Sequence, residues 1–169
     1  MNRRVVVTGT GVITPVGNDV QTYWKNILEG VCGIGVINSI PVDDLPVKIA
    51  GEVKDFNPAD YEIEAPFARK QDKFTVYAVA AAWQAVKESG ISSAEGGNID
   101  PLRFGVYVGS GIGGFTTQMR ETEKILNEGA KWVSPLFIPT MISNIAAGNI
   151  AIRNNACGPC LPVVTACAT

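Results

Sequence analysis

The chain has 169 residues, 14 Lys and Arg against 16 Asp and Glu for a formal net charge of −2, and no histidine. Without histidine it cannot by itself form a Ser-His-Asp triad, a Cys-His pair or a His-ligated zinc site. The balanced charge lacks the basic footprint of a protein that binds nucleic acid. A composition that is 46% apolar and 18% charged predicts one globular domain, residues 1–169.

The first predicted element is a β-branched run at residues 4–8, which we expect to form a buried strand. Glycines and Pro15 follow at once, so the run is too short for a signal peptide. The other apolar stretches are too short to span a bilayer. We therefore expect a cytoplasmic protein without a membrane segment, in which the cysteines are reduced.

The next two predicted elements are a helix and a surface excursion. Asn18 and Asp19 are typical helix caps, and apolar residues then recur at helical spacing until Gly30. Residues 39–64 are rich in Pro and Asp, which predicts a surface excursion. The extended piece at residues 47–53 indicates a hairpin within it.

The longest predicted helix begins at Pro66 and ends at Gly90, and its many alanines indicate that it packs closely against another backbone. A strand at 104–108, a helix at 117–127, a helix at 140–152 and a strand at 161–165 are predicted after it. Short apolar strands that alternate with helices predict a layered α/β fold with a mostly parallel sheet.

A glycine-rich loop, residues 109–114, joins the second strand to its helix. Gly109, Gly111 and Gly114 have the spacing of a dinucleotide-binding fingerprint. The strand with an acidic residue at its tip, which should follow about 20 residues on, is missing. We therefore favour a turn that lets backbones approach closely over a nucleotide site.

The sequence Cys157-Gly-Pro-Cys160 matches the Cys-Gly-Pro-Cys redox motif of thioredoxin. A β-type run containing Pro162 follows where thioredoxin has a helix. An incidental turn is therefore the favoured interpretation, and a reversible disulfide is the alternative. A zinc site that combines these cysteines with Cys32 and Cys167 would need a ligand far away in sequence, so we predict no metal site.

Cys167 follows the last predicted strand and stands among small residues. A helix that begins there would direct its N–H groups and the positive end of its dipole at the sulfur. This favours the thiolate and offers a donor to an oxyanion. The pattern thus suggests a nucleophile, and a buried cysteine that acts as a small hydrophobic residue is the alternative.

Five segments stand in order along the chain: RVVVTGTGVITPVG at 4–17, GSGIGG at 109–114, SNIAAG at 143–148, GP at 158–159 and TACAT at 165–169. Together they resemble the N-terminal half of a β-ketoacyl-[acyl-carrier-protein] synthase of the thiolase superfamily, most closely the type II enzymes. The resemblance implies a thiolase-like layered αβαβα fold, of which this chain forms most of the N-terminal half.

The resemblance also implies an acyltransferase of fatty acid biosynthesis that needs no cofactor. Cys167 would take an acyl chain from the phosphopantetheine arm of an acyl carrier protein, and its backbone N–H would be one oxyanion donor. Malonyl-carrier protein would then be decarboxylated, and the resulting carbanion equivalent would attack the thioester in a Claisen condensation. The resemblance further implies a homodimer.

Other site residues are implied by position. Ile112 matches a residue that gates the acyl pocket. Phe137 aligns with a residue at the far end of that pocket near the dimer interface, and an ordinary core phenylalanine is the alternative. Arg69, Lys70 and Lys73 match a basic patch that would dock an acidic carrier protein, and a solvated helix face is the alternative.

The resembling family places two catalytic histidines, a lysine and a second oxyanion donor after the nucleophile. These groups would lie beyond the 169 residues, so we expect little or no condensing activity from this chain alone. Two alternatives stay open. One is a polyketide-type ketosynthase, and the other is a non-catalytic dimerising scaffold whose helix at 140–152 packs against a partner.

Overall fold

The computed structural model describes residues 3–169, and helix α3 (Lys73–Ser89) lies at the centre of the core. Val76, Val79 and Ala80 are the buried apolar residues of α3. They belong to one cluster with buried residues of the segment before α2, of β3 and of α6: Tyr61, Ile63, Val106, Ala147, Ile150 and Ala151. The core is therefore built where α6 crosses α3 beside a strand.

The helices of the described residues are α1 (Val20–Leu28), α2 (Ala65–Lys70), α3 (Lys73–Ser89), α4 (Phe115–Asn127), α5 (Phe137–Met141) and α6 (Ile145–Arg153). The predicted cap of α1 is confirmed, because the Asp19 side chain accepts a hydrogen bond from the Thr22 N–H at 2.8 Å. The predicted helix at 117–127 is confirmed as α4. None of the helices in residues 3–169 has the length and apolar character needed to cross a membrane.

The strands form two pairs. β3 (Val106–Gly109) and β4 (Cys160–Val163) are parallel, with Val106 opposite Cys160 and Gly109 opposite Val163. A parallel pair needs a crossover connection, which α4, α5 and α6 supply. β1 (Ile34–Val36) and β2 (Ile49–Gly51) form an antiparallel hairpin. The predicted α/β class is confirmed, and the parallel sheet has two strands within residues 3–169.

Two predicted helices are each divided into two. The helix at 66–90 is interrupted where Gln71 has extended backbone angles and the Asp72 side chain caps α3. The helix at 140–152 is interrupted because the Met141 carbonyl accepts a hydrogen bond from the Gly114 N–H at 2.7 Å instead of continuing the helix. In both cases a long-range or capping hydrogen bond replaces a bond of the helix.

The prediction of a buried strand at residues 4–8 is wrong. These residues form no strand, and the Val5 side chain is 92% exposed. The reason is that no strand among residues 3–169 pairs with this segment, so its backbone has no ladder to join.

The strands at 104–108 and 161–165 are confirmed as β3 and β4 with shifted ends, but only one face of this pair is covered. Val106 is buried below α6, whereas Tyr107, Leu161 and Val163 are exposed. Because side chains alternate between the two faces of a sheet, one open face leaves every second residue in solvent. The expectation that Cys167 follows a buried strand is corrected accordingly.

The end of the surface excursion predicted at 39–64 does not lie on the surface. Its hairpin forms, but β1, the strand that pairs with β2, precedes the excursion. The end of the excursion enters the core, where Ile63 is 2% exposed and the Tyr61 ring stacks on Phe56. A short turn capped by Asn57 brings these residues inward.

Residues 9–12 lie along α3 at van der Waals distance, so the close approach predicted from its alanines is confirmed. A Cβ atom on Gly11 would overlap the carbonyl oxygen of Ala81, and one on Gly9 would overlap that of Ala85. The Gln84 side chain fixes the same segment by donating to the Val12 carbonyl at 2.9 Å.

We expect Gly11→Ala to lower the free energy of unfolding by about 1–3 kcal/mol, because its methyl group meets backbone that cannot move aside. Gly148→Ala in α6 is the matched control. No atom lies within 4 Å of the Cβ that it adds, so it should raise the stability by up to about 1 kcal/mol. Urea unfolding followed by circular dichroism measures both, and equal midpoints would contradict the close approach.

Candidate functional site

Cys167 lies on a strained turn directly after β4. Residues 166–168 form a single 3₁₀ turn in which Ala166 has a left-handed backbone (φ 52°), which is uncommon for a residue with a side chain. The turn is closed by the Thr165 N–H, which donates to the Thr169 hydroxyl at 2.7 Å. Cys167 is exposed on this turn. The predicted helix start is thus one 3₁₀ turn, with the cysteine accessible.

The glycine-rich loop lies beside this turn. The Ser110 N–H donates to the Val163 carbonyl at 3.1 Å, and a Cβ on Gly109 would lie 2.9 Å from the Thr169 methyl group. Parallel strands end at the same edge of a sheet, so the loop after β3 meets the turn after β4. Ile112 lies within this loop and is 69% exposed.

A third segment, between α5 and α6, closes against the same loop. Gly113 has a positive φ of 81° and packs against the Met141 carbonyl, and its N–H donates to the Ser110 hydroxyl at 3.0 Å. A side chain at Gly113 would therefore be both strained and obstructed. Three of the five segments that carried the resemblance thus gather at one end of the β3–β4 pair.

The first turn of α4 is not an open phosphate site. The Thr117 N–H donates to the Asp72 carboxylate at 2.8 Å, and the Phe115 N–H donates to the Gly113 carbonyl at 3.0 Å. A dinucleotide fingerprint leaves such N–H groups free for a pyrophosphate. The structure therefore favours the turn interpretation of the glycine-rich loop.

Asp72 joins the start of α3 to the start of α4. Its carboxylate is 6% exposed and accepts hydrogen bonds from Thr117 and, at 3.4 Å, from the Phe74 N–H. Close by, the Thr140 hydroxyl in α5 donates to the Lys70 carbonyl at 3.5 Å. These bonds fix α2, α4 and α5 around a common space.

That space is a cavity of about 230 Å³, which we call the cationic cavity. It is lined by Arg69, Lys70, Thr117, Arg120, Glu121, Lys124, Ser134, Leu136, Phe137 and Thr140. Of the predicted site residues, Phe137 thus lies with Arg69 and Lys70, whereas Ile112 lies near Cys167. Lys73 lines other cavities, beside Asp55 and Tyr77.

Glu121 is the buried acid of the cationic cavity, with a side chain only 1% exposed. Its carboxylate accepts hydrogen bonds from the Ser134 N–H at 2.9 Å, from Lys124 Nζ at 3.0 Å and from Arg120 Nε at 3.2 Å. These bonds, that from Ser134 first and that from Lys124 next, lower the pKa of Glu121 from 4.5 to about 2. Glu121 is therefore ionised at neutral pH.

Four residues that shape this region were not found from the sequence: Asp72, Arg120, Glu121 and Lys124. Two local signals point to them. An Asp directly before an apolar helical pattern is a typical N-cap, and Glu121 and Lys124 have the i, i+3 spacing of a helical ion pair. The second bond of Asp72 spans 45 residues and leaves no local signal.

The cysteines do not gather at a redox or metal centre in residues 3–169. All four are free and exposed, and no group of three or more His, Cys, Asp or Glu side chains could hold a metal ion. Cys160 is the first residue of β4, so a strand follows it and not the helix of thioredoxin. This contradicts a thioredoxin-type arrangement at Cys157 and Cys160.

An exposed cysteine thus lies beside a glycine-rich loop at the end of a pair of parallel strands, within a thiolase-like fold. A solved structure titled "The ishigamide ketosynthase/chain length factor" supports this fold with a TM-score of 0.84, at 26% identity over 98% of this chain and 40% of that chain. The chain belongs to the beta-ketoacyl synthase family, because residues 2–169 match its model, "Beta-ketoacyl synthase, N-terminal domain".

Two further proteins are similar to this chain. The 3-oxoacyl-[acyl-carrier-protein] synthase 2 of Staphylococcus aureus (strain COL) is 44% identical over 168 residues, which are 99% of this chain and 40% of that protein. A chain of a solved structure, titled as a type II PKS acyl-carrier protein in complex with its ketosynthase, matches this chain with a TM-score of 0.73. The two are 28% identical over 92% of this chain and 40% of that chain. The chain thus spans about 40% of the length of the curated relatives that it matches.

We expect acid to destabilise the chain partly through Glu121. Because its folded-state pKa is lowered, its contribution is fully present above pH 4.5 and is lost as the pH falls from 4.5 towards 2. Urea midpoints measured across this range should fall more steeply for the natural chain than for Glu121→Gln, which should already be less stable at neutral pH. Glu123→Gln, an exposed position on α4, is the control. Parallel pH profiles for all three proteins would contradict this role.

Proposed function

We propose that this chain is the nucleophile-bearing part of a 3-oxoacyl-[acyl-carrier-protein] synthase of fatty acid biosynthesis that acts in the cytoplasm. The observation that carries the proposal is the exposed Cys167 on its strained turn beside the glycine-rich loop. The 44% identity to the S. aureus protein supports the substrate class. The proposed function assigns residues 1–169 to a single domain.

The first reaction is the transfer of an acyl group to Cys167. The Cys167 thiolate attacks the carbonyl carbon of the thioester on the carrier protein's phosphopantetheine arm, and a bond forms between sulfur and carbon. The carrier's thiolate leaves and takes up the proton that Cys167 lost. The position of Cys167 on a turn that contacts the glycine-rich loop supports this step.

The second reaction joins two carbon chains. Malonyl-carrier protein loses CO₂ and becomes a carbanion equivalent. This carbon attacks the carbonyl carbon of the acyl group on Cys167, the bond from that carbon to sulfur breaks, and Cys167 leaves as a thiolate. The family resemblance assigns the decarboxylation to histidines, and the 169 residues contain none. The complete cycle therefore requires groups beyond this sequence.

The proposed roles of the pocket residues come from the family resemblance, and their positions in the structure support some of them. Ile112 lies in the loop that contacts the Cys167 turn, which supports a gate to the acyl pocket. For Phe137, the far end of the acyl pocket near the interface of a homodimer is proposed from the family resemblance alone, because in this chain it lines the cationic cavity beside Arg69 and Lys70. Arg69 and Lys70 are proposed to dock the carrier protein.

A polyketide-type ketosynthase is the second candidate, because a type II PKS ketosynthase shares the fold at 28% identity. The two candidates differ in what they do with the β-keto product. An assay of the full-length protein distinguishes them by the chain length of its products and by the number of keto groups that the products carry. Repeated condensation without reduction would favour the polyketide type.

We expect acyl-carrier protein to add one acyl group to the purified protein, at Cys167. Intact mass and peptide mapping measure the adduct, and Cys167→Ala should abolish it. Cys32→Ala is the matched control, since Cys32 is also a free, exposed cysteine. An adduct that persists in Cys167→Ala, or is equally abundant on Cys32, Cys157 and Cys160, would contradict the proposal.

A further inference from the structure

The cationic cavity holds more positive charge than its own carboxylate neutralises. Arg69, Lys70, Arg120 and Lys124 line it, and Glu121 is its one acidic residue. Glu121 pairs with Arg120 and Lys124, and the ion pairs of residues 3–169 include neither Arg69 nor Lys70. Four cations against one ionised carboxylate leave an excess of three positive charges around one cavity.

Hydrogen bonds between side chains and backbone hold the elements that carry these cations in place. The bond from Thr140 to the Lys70 carbonyl ties α5 to the end of α2, and the bond from Ser134 to Glu121 ties α4 to the segment before α5. Arg120 and Lys124 are one helical turn apart and both contact the fixed Glu121 carboxylate. The backbone positions of the four cations are thus set before any partner binds, and Glu121 also holds the side chains of Arg120 and Lys124.

Lys73 has a different electrostatic environment. In the cavity that it shares with Glu52, Lys54 and Asp55, two carboxylates balance two lysines. The break at Gln71 and Asp72 separates it from the end of α2. Its sequence neighbours Arg69 and Lys70 therefore belong to another surface.

We propose that Arg120 and Lys124 complete the docking surface of Arg69 and Lys70 for an acidic protein segment, and that Lys73 does not take part. The inference rests on the proposed function, in which this segment belongs to the carrier protein. The Arg120 side chain is 56% exposed, so its charge is accessible to the side chains of a partner and is not enclosed around a small ion. Rim charges of this kind accelerate association and make it sensitive to salt.

The test compares two acyl donors for Cys167, an acyl-carrier protein and the small neutral N-acetylcysteamine thioester of the same acyl group. Arg120→Gln should lower the ratio of the carrier rate to the small-thioester rate by about twofold to fivefold at low salt, and less at high salt. Lys70→Gln, which has no contact with Glu121, should lower the ratio similarly. Lys73→Gln should behave like the control Lys25→Gln on α1, with an unchanged ratio.

The outcomes separate the two hypotheses. No acylation of Cys167 from either donor overturns the proposed function. Acylation from both donors with the same ratio in Arg120→Gln and Lys25→Gln overturns the docking inference alone. A loss in Lys73→Gln as large as that in Arg120→Gln overturns the exclusion of Lys73. Inhibition by inorganic phosphate well beyond that by sodium chloride of equal ionic strength would indicate a small-anion site and also overturn the inference.

Discussion

One buried carboxylate, that of Asp72, holds two helices at the points where they begin. It accepts hydrogen bonds from the Phe74 N–H in α3 and from the Thr117 N–H in α4, and a negative charge is favourable at both helix starts. Helix α2 ends just before it, and Gly114 at the end of the glycine-rich loop lies against it. The loop beside Cys167 and the cationic cavity therefore both depend on this contact.

Local signals in the sequence predicted the elements whose causes are local. The cap at Asp19, the end of the long helix at Gly90 and helix α4 each follow from a few adjacent residues. The two helix breaks have causes at a distance. Asp72 bonds to Thr117, and the Met141 carbonyl bonds to Gly114, and neither partner is near in sequence. The apolar run at 4–8 has the composition of a strand, but a strand also needs a neighbour.

The candidate site likewise has features with local causes in the sequence and features with causes at a distance. The segments around Gly109 and Cys167 resemble a family, and parallel pairing of β3 with β4 brings them to one edge. The basic patch could be predicted only in part. In one continuous helix, Arg69, Lys70 and Lys73 would be neighbours at helical spacing. The break after Lys70 removes Lys73 from that group, and Arg120 and Lys124 enter it from a helix about fifty residues away.

The open face of the β3–β4 pair has a practical consequence for handling the chain. Tyr107, Leu161 and Val163 form an exposed apolar strip on adjacent strands, and the exposed valines at 5–7 add to the apolar surface. Strand edges and apolar faces of this kind pair readily with other copies of a chain. We therefore expect this polypeptide to self-associate as its concentration rises, through the open face of the β3–β4 pair.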